Sequence, residues 1–555
     1  MSARKECRQG RGVSDRSAGW LSAFGEKCRL GMAGEPALMS VGRECRMWRQ
    51  QAKSVDRECR PGHQLTTVRP CAATKPNERA VHWSWSGSSR YAVRSRKRTV
   101  CDTAKFPLET RLKSGNIWAN KHFVWIPDKK LASTASARAQ AGKPPEHKEE
   151  ALSEKIKWVA NKMPKSDDRH LGIMSLENVE AARSFHQSFP QYDVTPLAKL
   201  DALAADLGLK NLAVKDESYR FGLNAFKVLG GSFAMANYIA GKIGRPVSEM
   251  TYDYLTSDEL ARDFGQATFF TATDGNHGRG VAWAANKLGQ RAVVHMPKGS
   301  VKSRFDNIAA EGAEVTIEDV NYDECVRMAA AEAEACENGV IVQDTAWDGY
   351  EEIPSWIMEG YGTMASEAAE QYAAAGVERP THVFVQAGVG SLAGGVVGYF
   401  TNLFPDNPPT FVVMEADTAA CLYKGALAGD GDPRIVDGDM PTIMAGLACG
   451  EPNTLGWDIL RNHVSVFVSC PNWVAAKGMR VLGAPLEGDP RVISGESGAV
   501  GAGLVTTLME SDEYAELREA IGLSAESSVL LFSTEGDTDP VNYRRVVWDG
   551  AYPAE

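Results

Sequence analysis

The chain contains no C-x-x-C pair, no H-E-x-x-H and no finger-like spacing of cysteine with histidine. A structural zinc is therefore not expected, and no metal is assigned. No secretory signal is evident, and a disulfide framework fits poorly with the long acidic body. Six of the eleven cysteines lie at positions 7, 28, 45, 59, 71 and 101, and the other five are scattered from Cys325 to Cys470. Free thiols in a reducing compartment are expected, with a Cys421–Cys449 bridge left open. No internal repeat is visible. Long apolar runs are scarce too, and only Val383 to Phe404 is uncharged over a length that would allow a membrane span. Five glycines interrupt it, β-branched residues crowd one end and no basic anchors flank it. It reads as a short buried strand, a glycine loop and a helix, so no membrane association is expected.

What is present is an ordinary globular composition with unevenly placed charge. Residues 1–100 carry 21 Lys+Arg against 8 Asp+Glu, leaving 40 basic and 63 acidic residues for 101–555. The net charge of −10 thus hides a basic head on an acidic body. A length of 555 residues allows two or three domains and a large core. Residues 1 to about 150 show no sustained period of 3.6 or 2 and hold a basic cluster, Arg94-Ser95-Arg96-Lys97-Arg98. A disordered, non-catalytic extension or a misplaced start is the favoured reading. A transit peptide is opposed by the length and the acidic residues. Nucleic-acid binding has least support, because no recognised module accompanies the charge. A cytoplasmic location is expected, with organelle import by the extension as the alternative.

From about residue 190 the texture becomes strand, turn and helix in alternation. Strand-like runs include Asn211–Lys215, Thr268–Thr271, Ala292–Met296, Val340–Gln343, Val383–Gln386, Phe411–Met414 and Val529–Phe532. Helical patterns at Val281–Leu288, Tyr322–Cys336 and Ile357–Ala375 lie between them. This is the signature of βαβ units and an α/β fold with mostly parallel sheets flanked by helices.

Chemistry is concentrated at the ends of these strands. Lys227 stands in the first turns of an apolar helical pattern, where an inward amine is costly unless neutral, paired or covalently used. A snorkelling surface lysine is the bland alternative. Val383–Gln386 runs into Ala387-Gly388-Val389-Gly390-Ser391-Leu392-Ala393-Gly394, a loop whose backbone N–H groups and following helix suit a phosphate. The spacing G-x-G-x-x-x-G misses the third position of a dinucleotide fingerprint. Glu415, ending the next strand, keeps that rival open for the loop taken alone. A second loop, Thr273-Asp274-Gly275-Asn276-His277, opens the helix at Val281. A nucleotide fold does not ask for it, whereas a pyridoxal phosphate (PLP) site does. Such a site needs a lysine, a donor beside the ring hydroxyl, a phosphate cradle and a carboxylate pocket. Lys227, Asn276, Gly388–Gly395 and the Thr273–His277 backbone supply these. Ser533 and Thr534, after Val529–Phe532, offer hydroxyls to the pyridine nitrogen.

With these parts in place the chain resembles the fold-type II PLP enzymes, the group of tryptophan synthase β and threonine dehydratase. Within it the chain is similar to the diaminopropionate ammonia-lyases. Matching stretches run in order over roughly residues 185–550, among them Lys215–Ser218, Phe221–Gly231, Thr273–Trp283, Gln343–Trp347, Gln386–Gly395, Ile443–Asn453, Ile493–Gly501 and Ser533–Asp539. The resemblance implies a large PLP domain (185–231 plus 379–555), a smaller mobile domain (232–378) that closes over substrate, and a homodimer. It also implies that Lys227 holds PLP and serves as base for the L-isomer of 2,3-diaminopropionate, with Asp274 as base for the D-isomer. Asp344 or Asp274 would protonate the leaving β-amine, and the products would be pyruvate and two ammonia. Dehydratases resemble S-x-G-N-H where this chain has Asp274, and a carboxylate there suits a substrate carrying a second ammonium. Asp274 as a mere helix cap and a serine or threonine dehydratase activity are the alternatives.

Overall fold

Short apolar strands alternating with glycine turns and helices build two sheets in the computed structural model, which describes residues 155–554. The basic extension expected over 1–150, with its six cysteines, lies outside the described residues. The larger sheet has the order β1-β10-β9-β8-β11-β3-β2. Its members are β1 (Lys157–Ala160), β2 (Leu197–Lys199), β3 (Asn211–Asp216), β8 (His382–Gln386), β9 (Thr410–Ala416), β10 (Val466–Cys470) and β11 (Ser528–Ser533). The smaller has the order β6-β5-β4-β7, made of β4 (Thr268–Ala272), β5 (Arg291–Met296), β6 (Glu314–Ile317) and β7 (Gly339–Ile341).

The five inner strands of the larger sheet pair in parallel, and only the edge strands β1 and β2 run antiparallel. Strands β8, β10 and β11 are buried along their whole length, as parallel strands covered by helices on both faces must be. That double burial explains their near-continuous apolar sequences. The smaller sheet is parallel throughout. Here β7 stops at Ile341, two residues short of the expected Gln343. The Gln343 side chain takes over, its Oε1 accepting the Ala272 N–H at 3.2 Å.

The larger sheet thus gathers residues 157–216 and 382–533, and the smaller gathers 268–341. Strand β1 lies upstream of residue 185. The helix Val228–Ile243 crosses the position 231/232, and the helix Glu352–Ala374 packs on both it and the helix Ser391–Leu403. Glycine permits this approach: a Cβ on Gly230 would lie 2.6 Å from Ile357 Cγ2 and 2.7 Å from Tyr361 Cε1. The Val383–Phe404 run divides as its sequence suggests, into β8, a turn and the helix Ser391–Leu403. Among the described residues no helix is long and apolar enough to cross a membrane. Cys421 and Cys449 are free thiols. The carboxyl ends of β3, β8 and β11 in one sheet and of β4 and β7 in the other each lead into a loop, the usual place for a site in parallel α/β sheets.

Candidate active site

Lys227 is delivered by a strained connection. After β3 the chain makes a 3-10 turn, Glu217–Gly222, in which Phe221 takes a φ of 50° and Asn224, just beyond, 59°. Such left-handed residues are uncommon away from glycine and persist where neighbours fix them. The neighbour is the segment after β11: the Phe226 N–H donates to Thr534 O at 3.1 Å and the Gly536 N–H to Asn224 O at 3.0 Å. Lys227 therefore sits at the N-cap of the helix Val228–Ile243, before rather than within its first turn. Its amine lies 5.6 Å from the ring centre of Phe226 and 5.9 Å from that of Tyr361, and donates to Asp344 Oδ2.

Asp344 stands in the loop after β7. Its carbonyl accepts from Asn453 Nδ2 at 2.8 Å and from Ser391 Oγ. Burial alone would raise its carboxyl, but the Lys227 cation and, behind it, His277 bring it down to about 2. Burial likewise opposes the charged form of Lys227, yet Asp344 holds the amine above its ordinary value.

One cavity collects most of the residues singled out from sequence. Lys227, Thr273, Asp274, Asn276, His277, Asp344, Gly388, Val389, Gly390, Ser391, Leu392 and Thr534 all line it. Three do not. Gly275 lies behind the loop with its N–H on Thr273 Oγ1 at 2.9 Å. A Cβ on Gly394 would lie 2.8 Å from Gly456 Cα, so that glycine serves helix packing. Ser533 is fully buried and donates to Ser494 Oγ at 2.8 Å.

The asparagine loop behaves differently from a simple cap. The helix Asn276–Lys287 has Gly275 at its N-cap and no side chain capping it. The Asp274 carboxylate instead faces Arg304 Nη1 at 3.4 Å. Burial pushes the Asp274 carboxyl up, with Arg304 and then Lys227 pulling against the rise. Asn276 Nδ2 donates to Glu535 Oε2 at 2.5 Å. His277 Nε2 donates to Val342 O at 2.9 Å, and burial lowers its basicity while Asp344 pulls the other way.

Several groups escaped the sequence reading of the site. Glu535 accepts from Asn276, from the Ser497 N–H at 3.1 Å and from Thr538 Oγ1 at 3.2 Å. Tyr322, Ser497 and Cys449 share the cavity wall. Glu535 and Ser497 fall inside stretches that carry the family resemblance, the one signal available for them.

The residues present fit a PLP molecule. The Ser497 hydroxyl and His277 Nδ1 are buried at the cavity without a protein partner. Buried polar atoms are rarely left unpaired, so orphans grouped around one cavity are groups reserved for a ligand. Thr534 Oγ1 accepts from Gln386 Nε2 at 2.8 Å, leaving its own proton for an acceptor in the cavity. Gly390, with a φ of 102°, makes the turn that points the start of the helix Ser391–Leu403 at the same space. A lysine amine, a hydroxyl donor and a helix N-terminus thus converge, as an aldehyde-bearing ring with a phosphate requires.

Comparison with known proteins agrees with this inventory. Residues 189–525 match the family described as pyridoxal-phosphate dependent enzyme. The diaminopropionate ammonia-lyase of Salmonella typhimurium is 52% identical over 368 residues, 66% of this chain and 91% of that protein. A crystal structure of the Escherichia coli diaminopropionate ammonia-lyase in complex with an aminoacrylate-PLP azomethine reaction intermediate superposes with a TM-score of 0.65 at 47% identity, covering 72% of this chain and 99% of that one. The biosynthetic threonine dehydratase of Salmonella typhimurium is 30% identical over 240 residues, only 42% of this chain and 38% of that protein.

Proposed function

We infer, for a chain that belongs to the pyridoxal-phosphate dependent enzyme family and within it to the diaminopropionate ammonia-lyases, that its residues carry out α,β-elimination on both isomers of 2,3-diaminopropionate. It is a PLP-dependent carbon–nitrogen lyase. One 2,3-diaminopropionate and one water become pyruvate and two ammonia. The observation that carries the reading is the charge of one cavity, where Lys227 stands among Asp274, Asp344 and Glu535. A substrate with a second ammonium suits that excess of carboxylate; a hydroxyl-bearing one gains nothing from it.

When bound, PLP supplies the electron sink that makes the α-proton of an amino acid removable. Lys227 would hold the cofactor, Asn276 and Thr534 would serve its ring, and Gly388–Leu392 would receive its phosphate. The backbone of Thr273–His277 receives the substrate carboxylate. Lys227 Nζ, once free, takes the α-proton of the L-isomer, and Asp274 takes that of the D-isomer. Asp344 is the acid for the departing β-amine. Its carboxyl is low while Lys227 is a neighbouring cation; when that amine is engaged, burial dominates and favours a proton on Asp344. Closure of the 232–378 portion over the substrate, assembly as a homodimer, a cytoplasmic location and a role in amino-acid catabolism complete the proposal.

The test is a paired assay on purified protein with PLP, following pyruvate and ammonia from L- and D-diaminopropionate with L-serine as competitor. Two ammonia per pyruvate from diaminopropionate, and slower turnover of serine, is the expected result. Faster turnover of serine would replace this reading with a dehydratase.

A further inference from the structure

Among the described residues Arg304 is the one cation that the Asp274 carboxylate contacts, and nothing in the reaction outlined above uses it. It stands in the first turn of the helix Lys302–Ala310, with its side chain 12% exposed. Two features tie it to the asparagine loop. A Cβ on Gly275 would lie 2.9 Å from Arg304 Cδ and 3.4 Å from Cγ, so the glycine makes room for the arginine stem. Arg304 Nε is buried without a protein partner, so the guanidinium is not a saturated ion pair, and the residue also lines a space of its own. That space is a second cavity of about 780 Å³, lined by Arg304, Lys298, Glu496 and Asp539 and sharing Asp274 and Tyr322 with the Lys227 cavity. Asp274 therefore stands at the boundary between the two.

We propose that Arg304 is the positioning residue for Asp274, its guanidinium keeping the carboxylate an anion turned into the Lys227 cavity, so that proton abstraction from the D-isomer depends on a residue that touches no substrate. The inference rests on the reading of Asp274 as base for that isomer. A base must be ionised to accept the α-proton. The charged and titratable groups that face Asp274 are Arg304, Lys227, Glu535, Tyr322 and Cys449. Burial and Glu535 favour its protonated form, while Arg304, then Lys227, favour the anion. Lys227 is already committed to Asp344, which leaves Arg304 as the cation in contact with Asp274. Arg304 in turn feels Asp274, Glu535, Glu496 and Asp539, and the last three lie on the segments around β11 rather than on its own helix. Without it Asp274 would face like charges across a buried gap.

The experiment uses the full-length holoenzyme and the variants Arg304→Met, Arg304→Lys, Gly275→Ala and Asp274→Asn, with kcat and KM for D- and L-diaminopropionate measured across pH. Arg304→Met is expected to move the acid limb of the D-isomer profile upward while the L-isomer limb stays in place. On the acid side of the wild-type limb the D-to-L ratio of kcat/KM should fall. The loss should fall on kcat rather than KM, and Arg304→Lys should restore the limb. Gly275→Ala, by crowding the arginine stem, should shift it less and in the same direction, and with Arg304→Lys keeps the test alive if Arg304→Met misfolds. As a readout apart from turnover, the carboxyl carbon resonance that disappears in Asp274→Asn should titrate at higher pH in Arg304→Met. Limbs that move together, a lysine variant no better than methionine, or an unmoved carboxyl titration would overturn the inference. Equal losses on both isomers in Asp274→Asn would sink the base assignment itself and the inference with it. A D-selective loss there, with an unmoved limb in Arg304→Met, sinks the inference alone.

Discussion

Lys215 and Lys227 lie on one stretch of chain, and each faces a buried carboxylate, Glu367 and Asp344 respectively. Their surroundings differ in completeness. Lys215 Nζ donates to Thr195 O at 2.7 Å, Glu367 Oε2 at 2.6 Å and Gln371 Oε1 at 2.9 Å, which uses all three of its protons. Arg220 beside it reaches Glu217 through Nε at 2.8 Å and Nη2 at 2.9 Å, and Glu367 through Nη1 at 2.9 Å and Nη2 at 2.8 Å. Around Lys227 the count stays short: one carboxylate for the amine, one long contact for Arg304, and orphaned atoms on His277, Ser497 and Arg304. A lysine facing a carboxylate thus makes a saturated clamp in one place and an unsaturated site in the other. Saturation marks structure here, and deficit marks a place kept for a ligand.

The comparison can be broken most sharply at Lys227. Lys227→Ala should lower turnover of L-diaminopropionate by at least about a thousandfold, while circular dichroism and the thermal midpoint show a folded protein. Next in size, Glu367→Gln should destabilise the fold by roughly 3–5 kcal/mol, because Lys215 and Arg220 keep their charges in the interior without an equal partner. Urea unfolding followed by circular dichroism would measure it; a loss no larger than that of Lys227→Ala would end the distinction between clamp and site.

A pH series sharpens the same point. Burial alone would raise the Glu367 carboxyl, but Arg220 and then Lys215, by charge and hydrogen bond, hold it at about 2. A carboxyl lower when folded than unfolded contributes stability that is complete above its unfolded value of about 4.3 and is lost as pH falls toward 2. The thermal midpoint should therefore drop on acidification below about pH 4, and Glu367→Gln should flatten that limb. The smallest effect belongs to the basic extension: a chain starting near residue 150 should keep its kcat/KM to within about twofold, since the residues lining the Lys227 cavity all lie from Phe226 onward. Loss of turnover in such a folded chain would overturn the non-catalytic reading.

The alternation of strands and helices was legible because parallel strands buried on both faces must be apolar throughout. The glycine turn at Gly388–Gly390 and the lysine at 227 were legible for a related reason, since each breaks a local rule in plain view. The edge strands β1 and β2, and the mostly exposed β6, are only three or four residues long, too brief to show a period. The clamp was invisible for another reason. Lys215 and Glu367 are separated by 152 residues, and a charged residue in a strand gives no sign of its partner. Arg304 reads as a surface arginine at a helix start until Gly275 and Asp274 are seen around it. Asp274 itself was legible only against the small neutral residue that dehydratases resemble at that position.

Strand β11 lies between β8 and β3, yet it is the last strand of the chain to be made. The strained turn that sets Lys227 is fastened to the residues just after it, at Thr534 and Gly536. While the protein emerges from the ribosome, the larger sheet must wait with an open slot between β8 and β3 until translation is almost complete. Lys227 can be translated hundreds of residues early and still lack its mooring. Termination between Cys470 and Ser528 would leave a split sheet, with β8 and β3 as two unpaired edges for chaperones or proteases to find.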